Sequence, residues 1–316
     1  MIFKIIKKIL KKIQKKEATN MKFNTIANEW LDFKKVTIKQ STYNNYLYIV
    51  EKYLNNEFGN MNIEDIKNYN NFIQKLNKNL SPKYIREITS ILKAILGYYE
   101  EEYEIKLNTK KMNIPKLEKK KLQILTNREK QKLENYCIEE NTLKSLGIVI
   151  CLNTGMRIGE LCALKWENID LDEKNIYVKQ TLQRIYNKQT GKTEVIIDTP
   201  KSTCSVRAIP INNKLYGILK PLRKKYKQEA FFLTGLKGKF IEPRNYQNIF
   251  KAILKKCKIK KYKFHICRHT FSTNCIEIGM DIKTLSEILG HSSVEITLNT
   301  YVHSSRKLMK KYLEKL

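Results

Sequence analysis

Four short segments hold the side chains best suited to handling an anionic group. Asn153-Thr154-Gly155-Met156-Arg157-Ile158-Gly159-Glu160-Leu161 follows an apolar stretch and turns at a glycine, delivering Arg157 at the start of a helix. In His265-Ile266-Cys267-Arg268-His269-Thr270-Phe271, His265 and Arg268 stand three apart and share a face if the segment is helical. Leu289-Gly290-His291 closes a further helix at its glycine, and Tyr301 follows about three helical turns later. Arginine offers a planar, permanently charged fork that grips two oxygens of a phosphate or carboxylate together. Only nine of the 61 basic residues are arginine, so here an Arg marks such a site better than a Lys. Taken one at a time, the segments also fit plainer roles. Arg157 and Arg268 suit solvated surface charges, His265 a buried hydrogen-bonded residue, and Tyr301 one packing residue among 18 tyrosines.

The 316 residues carry 61 Lys and Arg against 31 Asp and Glu, a formal net charge of +30. Such a surplus points to a polyanion, because each basic side chain docked on phosphate releases condensed counterions. Nucleic acid is the first candidate, although a compositional bias toward lysine raises the same total. With 42% apolar and 29% charged residues and a mean hydropathy of −0.49, the chain does not read as a membrane protein. Its longest apolar run, Leu146 to Leu152, is far short of the roughly 20 residues that span a bilayer. Lysines interrupt the N-terminal apolar residues before a signal-type hydrophobic region forms. The expectation is a soluble cytoplasmic protein, on the nucleoid when bound to DNA, with no membrane partner. Seven cysteines form no C-x-x-C pair and are odd in number, which suits reduced thiols. The metal-like trio His265, Cys267 and His269 lacks a second ligand pair, so neither a metal nor a cofactor is expected.

The elements that must position these residues are mostly helical. Residues 2–16 alternate apolar and lysine side chains as a basic amphipathic helix, which fits DNA phosphates, anionic lipid, or a plain extension ahead of a start at Met21. From Met21 to about Tyr103 the spacing predicts a four-helix bundle. Ile26, Trp30 and Phe33 mark the first helix, Ser41 caps the second, Ile63 to Leu76 forms the third, and Ser81-Pro82 opens the fourth. Residues 106–121 lose periodicity around Pro115 and read as a basic linker. Thr126 and Glu129 make a capping box that opens a second domain. Ile176 to Leu182, Glu194 to Ile197 and Arg207 to Ile211 read as a small antiparallel sheet, after which helices return. Asp281 caps the helix that ends at Gly290, and Ser292 with Glu295 suggests another capping box. The fold class expected is mainly α with a small antiparallel β-sheet. The boundaries are 1–21 basic amphipathic extension, 22–105 helical domain, 106–122 basic linker and 123–316 second domain.

Together these segments resemble the tyrosine recombinases, the phage integrase family of site-specific DNA recombinases, over most of the chain from about residue 22. The resemblance puts Arg157 in the first catalytic box, Lys201 in the hairpin segment Thr199-Pro200-Lys201-Ser202, and His265 with Arg268 in the second box. His291 matches the Leu-Gly-His motif and Tyr301 the nucleophile. It implies that an N-terminal core-binding domain and a C-terminal catalytic domain clamp double-stranded DNA recombination sites, with four protomers in a synaptic tetramer. Accessory DNA-bending or directionality proteins fit the same scheme. Cys267 stands where the family commonly has Leu, a change of packing volume that removes no functional group. The small additional N-terminal domain that some integrases use for arm sites is not expected here.

The reaction so implied is transesterification through a 3′-phosphotyrosine, with no ATP and no metal. Arg157 and Arg268 would stabilise the phosphorane, His265 and His291 would add hydrogen bonds to it, and Tyr301 would attack. Lys201 would protonate the leaving 5′-oxygen. Glu160 is a poor base beside a developing anion and suits a structural role orienting a basic side chain. A metal-dependent nuclease needs clustered carboxylates, and none is evident in the sequence. A DNA-binding protein without catalysis would show a broken set, whereas all six positions are filled. Integration or excision of a mobile element and chromosome-dimer resolution share the same residues. In the C-terminal segment, Leu308, Met309, Tyr312, Leu313 and Leu316 form an apolar stripe suited equally to packing in cis or on a neighbouring protomer.

Overall fold

The computed structural model describes residues 20–107, 112–117, 122–187, 190, 192–198, 206–301 and 313–314. Lys201, the basic extension and nearly all of the C-terminal apolar stripe lie outside them. The chain divides into two compact units: residues up to Lys120 together with Ile185–Glu194, and Lys121–Arg184 together with Val195 onward.

The first unit is helical. α1 (Phe23–Thr37) buries Phe23, Ile26, Ala27, Trp30 and Leu31, a stripe at three- and four-residue steps. Phe33 falls at the edge of that stripe and stays 52% exposed, stacked on Tyr98. α2 (Gln40–Ile49) is capped at Lys39, whose extended backbone takes the N-cap position; Ser41 therefore lies inside the first turn and caps nothing. A π-helical turn, Val50–Leu54, carries α2 into α3 (Asn55–Phe58). The expected continuous helix from Ile63 to Leu76 is broken. Buried Ile63 and Ile66 are placed by a 3-10 turn (Ile63–Asp65) and an extended residue, and α4 (Tyr69–Asn77) begins only afterwards. α5 (Pro82–Tyr103) starts as the sequence predicts, with Ser81 accepting from the Tyr84 N–H and Pro82 in the first turn. Its Ile85, Ile88, Leu92, Ile95 and Tyr99 are fully buried and form the spine of this unit's core. Burying one such side chain contributes roughly 1.5–3 kcal/mol.

The second unit opens with α6 (Asn127–Glu140), where the Thr126–Glu129 capping box is complete. α7 (Leu143–Thr154) is buried on nearly every side from Ser145 to Leu152, as a helix through the middle of a core must be. It ends at Gly155, whose φ of +67° a side chain would resist and whose added Cβ would meet Phe271 at 2.6 Å. α8 (Ile158–Ala163) follows directly.

The sheet region is antiparallel but differs in extent from the expectation. β1 (Ile169–Asp170), β2 (Asn175–Val178) and β5 (Arg207–Pro210) form one sheet in the order β1-β2-β5, with Ile176 opposite both Ile169 and Ile209. β3 (Thr181–Asn187) pairs with β4 (Lys192–Asp198) separately. Ile176 to Leu182 is thus two strands rather than one, because the chain leaves the first sheet after Val178. α9 (Asn213–Arg223), α10 (Pro243–Lys256), α11 (Ile266–Glu277), α12 (Ile282–Leu289) and α13 (Val294–Tyr301) complete the described unit. Asp281 caps α12 through the Thr284 N–H, and Gly290 ends it at φ +63°. At the start of α13 the capping oxygen belongs to Ser293, which accepts from the Glu295 N–H at 3.0 Å, and not to Ser292. Among the described residues, no helix is long and apolar enough to cross a membrane.

Candidate active site

The site forms where helices stop. A helix leaves its last carbonyl oxygens without intrahelical partners and concentrates partial negative charge there. The C-terminal end of α12 presents three such oxygens in a row, and each takes a guanidinium: Ile288 O from Arg207 Nε at 2.5 Å, Leu289 O from Arg268 Nη2 at 2.9 Å, and Gly290 O from Arg157 Nη2 at 3.1 Å. The end of α7 adds the Gly155 oxygen, which accepts from Arg268 Nη1 at 2.9 Å. Gly290 is required on steric grounds as well, since a Cβ there would sit 2.9 Å from Arg207 Nη1.

Arg157 is the N-cap residue of α8, its backbone extended at φ −74°, ψ 152°. Three residues on, the buried Glu160 carboxylate accepts from the Arg157 N–H at 2.8 Å and from its Nη1 at 2.7 Å. The same carboxylate receives both terminal nitrogens of Arg207, at 3.2 and 3.0 Å. Burial alone would push the Glu160 carboxyl up, but the Arg207 and Arg157 guanidiniums and their hydrogen bonds outweigh it and hold the group below its ordinary value. Arg207 therefore offsets the negative charge that Glu160 would otherwise set against Arg157. With two guanidiniums on one carboxylate and Arg268 on the adjoining carbonyl oxygen of Leu289, this end of the unit is positive, as a phosphate site requires.

Arg268 is 1% exposed, and besides the two carbonyls its Nη2 lies 2.7 Å from His291 Nε2. A guanidinium only donates, so Nε2 is the acceptor; His291 is neutral and its proton sits on Nδ1, 2.7 Å from Thr297 Oγ1. Loss of hydration, then the charges of Arg268 and Arg157, lower His291 to about 4. Burial, then repulsion from Arg157, lowers Arg268 to about 10, which leaves it charged at neutral pH. His265 precedes the first turn of α11 and is exposed; desolvation on its packed side and the neighbouring His269, Arg268 and Arg157 hold it below its ordinary value. Its ring stands edge-on to His269, centroids 4.4 Å apart. Tyr301, buried near the end of the described chain in α13, lies parallel to His291 at 6.4 Å, and its hydroxyl is 3.1 Å from His269 Nδ1.

The structure thus brings Arg157, His265, Arg268, His291 and Tyr301 into one connected set of contacts, while Lys201 lies outside the described residues. Two members were missed from the sequence. Arg207 was noticed only as the start of a strand, although its being one of nine arginines among so many lysines was a usable signal. His269 figures in the sequence only as part of a metal-like trio, and no local pattern links it to a tyrosine 32 residues away. Cys267 is fully buried in the core of the second unit, consistent with a packing role. Among the described residues, no group of three or more His, Cys, Asp or Glu is arranged to hold a metal ion.

Comparison with known proteins bears on the chain as a whole. The phage integrase family pattern matches residues 116–307, and the pattern of a phage integrase N-terminal SAM-like domain matches residues 22–81. The chain belongs to the phage integrase family. It is 29% identical over 310 residues to a tyrosine recombinase XerC-like protein of Caldanaerobacter subterraneus subsp. tengcongensis, covering 88% of this chain and 78% of that one. It is 24% identical over 353 residues to the integrase of Staphylococcus phage L54a, covering 100% and 99%. Among solved structures, the Tn1549 transposon integrase in complex with transposon right end DNA shares the fold, with a TM-score of 0.75 at 24% identity over 94% of this chain and 99% of that one. The protein is a tyrosine-type site-specific DNA recombinase with an integrase catalytic domain.

Proposed function

We propose that this recombinase integrates and excises a mobile DNA element, and that it does so through a 3′-phosphotyrosine on Tyr301. The observation that carries the reading is the Tyr301 phenol packed on His291, whose imidazole is in turn bound to the buried Arg268. In this scheme Arg157 and Arg268 grip the non-bridging oxygens of the scissile phosphate, and the transition state gains most because charge accumulates there. His265 adds a hydrogen bond from the exposed rim. For His291 to donate as well, Arg268 Nη2 turns from the imidazole to the phosphate and a proton occupies Nε2, a step the incoming anion favours by raising the basicity of the ring. Lys201 protonates the leaving 5′-oxygen, and the phosphotyrosine retains the bond energy for religation without ATP. Recombination sites are brought together by four protomers, with accessory DNA-bending or directionality proteins assisting.

Relatives named as the phage L54a integrase, the ICEBs1 integrase of Bacillus subtilis and a Tn916 transposase support a mobile element, while the XerC-like relative is compatible with chromosome-dimer resolution as the second reading. Trapping on a nicked recombination site tests the chemistry. The wild-type chain should accumulate a covalent protein–DNA adduct in EDTA, and Tyr301→Phe should bind the same DNA and form none. An adduct that persists in the Phe variant rejects Tyr301 as nucleophile.

A further inference from the structure

A tyrosine phenol is a weak nucleophile until it loses its proton. A base must lie within about 2.6–3.2 Å of the oxygen to take that proton as the new bond forms. Of the imidazoles in the site, His269 meets the distance, with Nδ1 3.1 Å from Tyr301 Oη. His291 is engaged at both nitrogens, by Arg268 and Thr297, and presents its ring face to Tyr301 at an interplanar angle of 6°. Among the described contacts His265 reaches His269 and not the phenol. His269 also stands next to Arg268, whose carbonyl partners Gly155 and Leu289 fix this turn of α11, so its position does not depend on a flexible segment.

We infer that His269 is the general base for the nucleophile: it accepts the Tyr301 proton during strand cleavage and returns it to the departing phenolate during religation. The inference rests on Tyr301 being the nucleophile. In the forward step the Oη–H proton passes to His269 Nδ1, the Oη–P bond forms, and the P–O5′ bond breaks as the 5′-oxygen takes its own proton from the acid assigned to Lys201. The two protons travel on opposite sides of the phosphorus and no redox change occurs. Burial and the adjacent Arg268 charge hold His269 below the ordinary imidazole range, which keeps it unprotonated and able to accept at neutral pH. Once protonated, the imidazolium is stabilised by the negative phosphorane, so the transfer is favoured in the transition state and reversed when the intermediate collapses.

Single-turnover cleavage of a nicked site is the test. His269→Ala should bind DNA as the wild type does and cleave about 10²- to 10⁴-fold more slowly, the usual span for general acid–base catalysis. His269→Asn keeps a hydrogen-bond acceptor near the phenol without a basic nitrogen and should remain as slow; wild-type cleavage by the Asn variant would mean that this position only orients Tyr301. With Tyr301 replaced by a fluorinated, more acidic tyrosine, the His269→Ala defect should shrink, and an unchanged defect overturns the inference. On a 5′-phosphorothiolate, whose leaving group needs no proton, Lys201→Ala should recover and His269→Ala should not. Recovery of the His269 variant would assign it to the leaving group instead. Peptide mapping of the adduct separates the two readings: a DNA-linked peptide that lacks Tyr301 rejects the nucleophile assignment itself.

Discussion

Arg157 and Arg268 donate to adjacent carbonyl oxygens, those of Gly290 and Leu289, yet they are anchored by opposite means. Arg268 is held entirely by neutral groups, two helix-end carbonyls and one imidazole, and is sealed from solvent. Arg157 is held by a buried carboxylate and keeps 36% of its side chain exposed. Neutral acceptors fix a guanidinium without cancelling its charge, but they leave the whole desolvation cost in place, which is why Arg268 is lowered and stays near 10. A carboxylate relieves that cost and takes the charge with it. The second unit resolves this by setting Arg207 on the far side of Glu160 as a bidentate partner, so that Arg157 is oriented by Glu160 without being neutralised.

The contrast predicts unequal costs. Glu160→Gln removes the carboxylate from between two guanidiniums, one of them Arg207 at 6% exposed. Breaking a buried pair in this way costs about 3–5 kcal/mol, so urea denaturation at neutral pH should show the larger loss here. Arg268→Met fills similar space with an apolar chain and strands two carbonyls and His291 Nε2, at about 1–3 kcal/mol for each group that water cannot reach. Relief from burying a charge offsets part of that, and the expected net loss is about 2–3 kcal/mol, together with loss of strand cleavage. If Arg268→Met proves more destabilising than Glu160→Gln, the distinction between neutral and charged anchoring fails.

The smallest effect is the pH dependence. His291 is lowered in the folded protein to about 4, against an ordinary value of about 6.5 when unfolded. The unfolded chain therefore binds this proton first, so the stability His291 contributes is complete above about pH 6.5 and is lost as pH falls toward about 4. One imidazole sets a ceiling of about 1.4 kcal/mol per pH unit, and the partial exposure of the ring reduces it. Glu160, held below its ordinary value, loses its contribution only further into acid, below the usual carboxylate range. Urea midpoints measured from pH 7 to 4 should fall for the wild type and fall less for His291→Gln. Equal slopes would show that the neutral His291 acceptor is not what the acid limb reports.

What the sequence determined by itself was whatever is written within one or two helical turns. The Ser81-Pro82 start, the Thr126–Glu129 box, the Asp281 cap and the Gly290 stop were legible because capping is an exchange between neighbours in the chain. The segments around Arg157, His265-x-x-Arg268, His291 and Tyr301 stood out only as an ordered set that resembles a family, since each taken alone also fits a plainer role. Where two neighbouring residues offered the same cap, as at Ser292 and Ser293, or where buried spacing suited a 3-10 turn as well as an α-helix, as from Ile63 to Tyr69, local pattern misplaced the boundary. Tertiary structure alone decided which groups meet. Glu160 finds Arg207 across 47 residues, Arg157 finds Gly290 across 133, and Arg268 finds Gly155 across 113. Those pairings have no periodicity to read, because they follow from two helices ending at one place and leaving carbonyl oxygens that only a donor from elsewhere in the chain can satisfy.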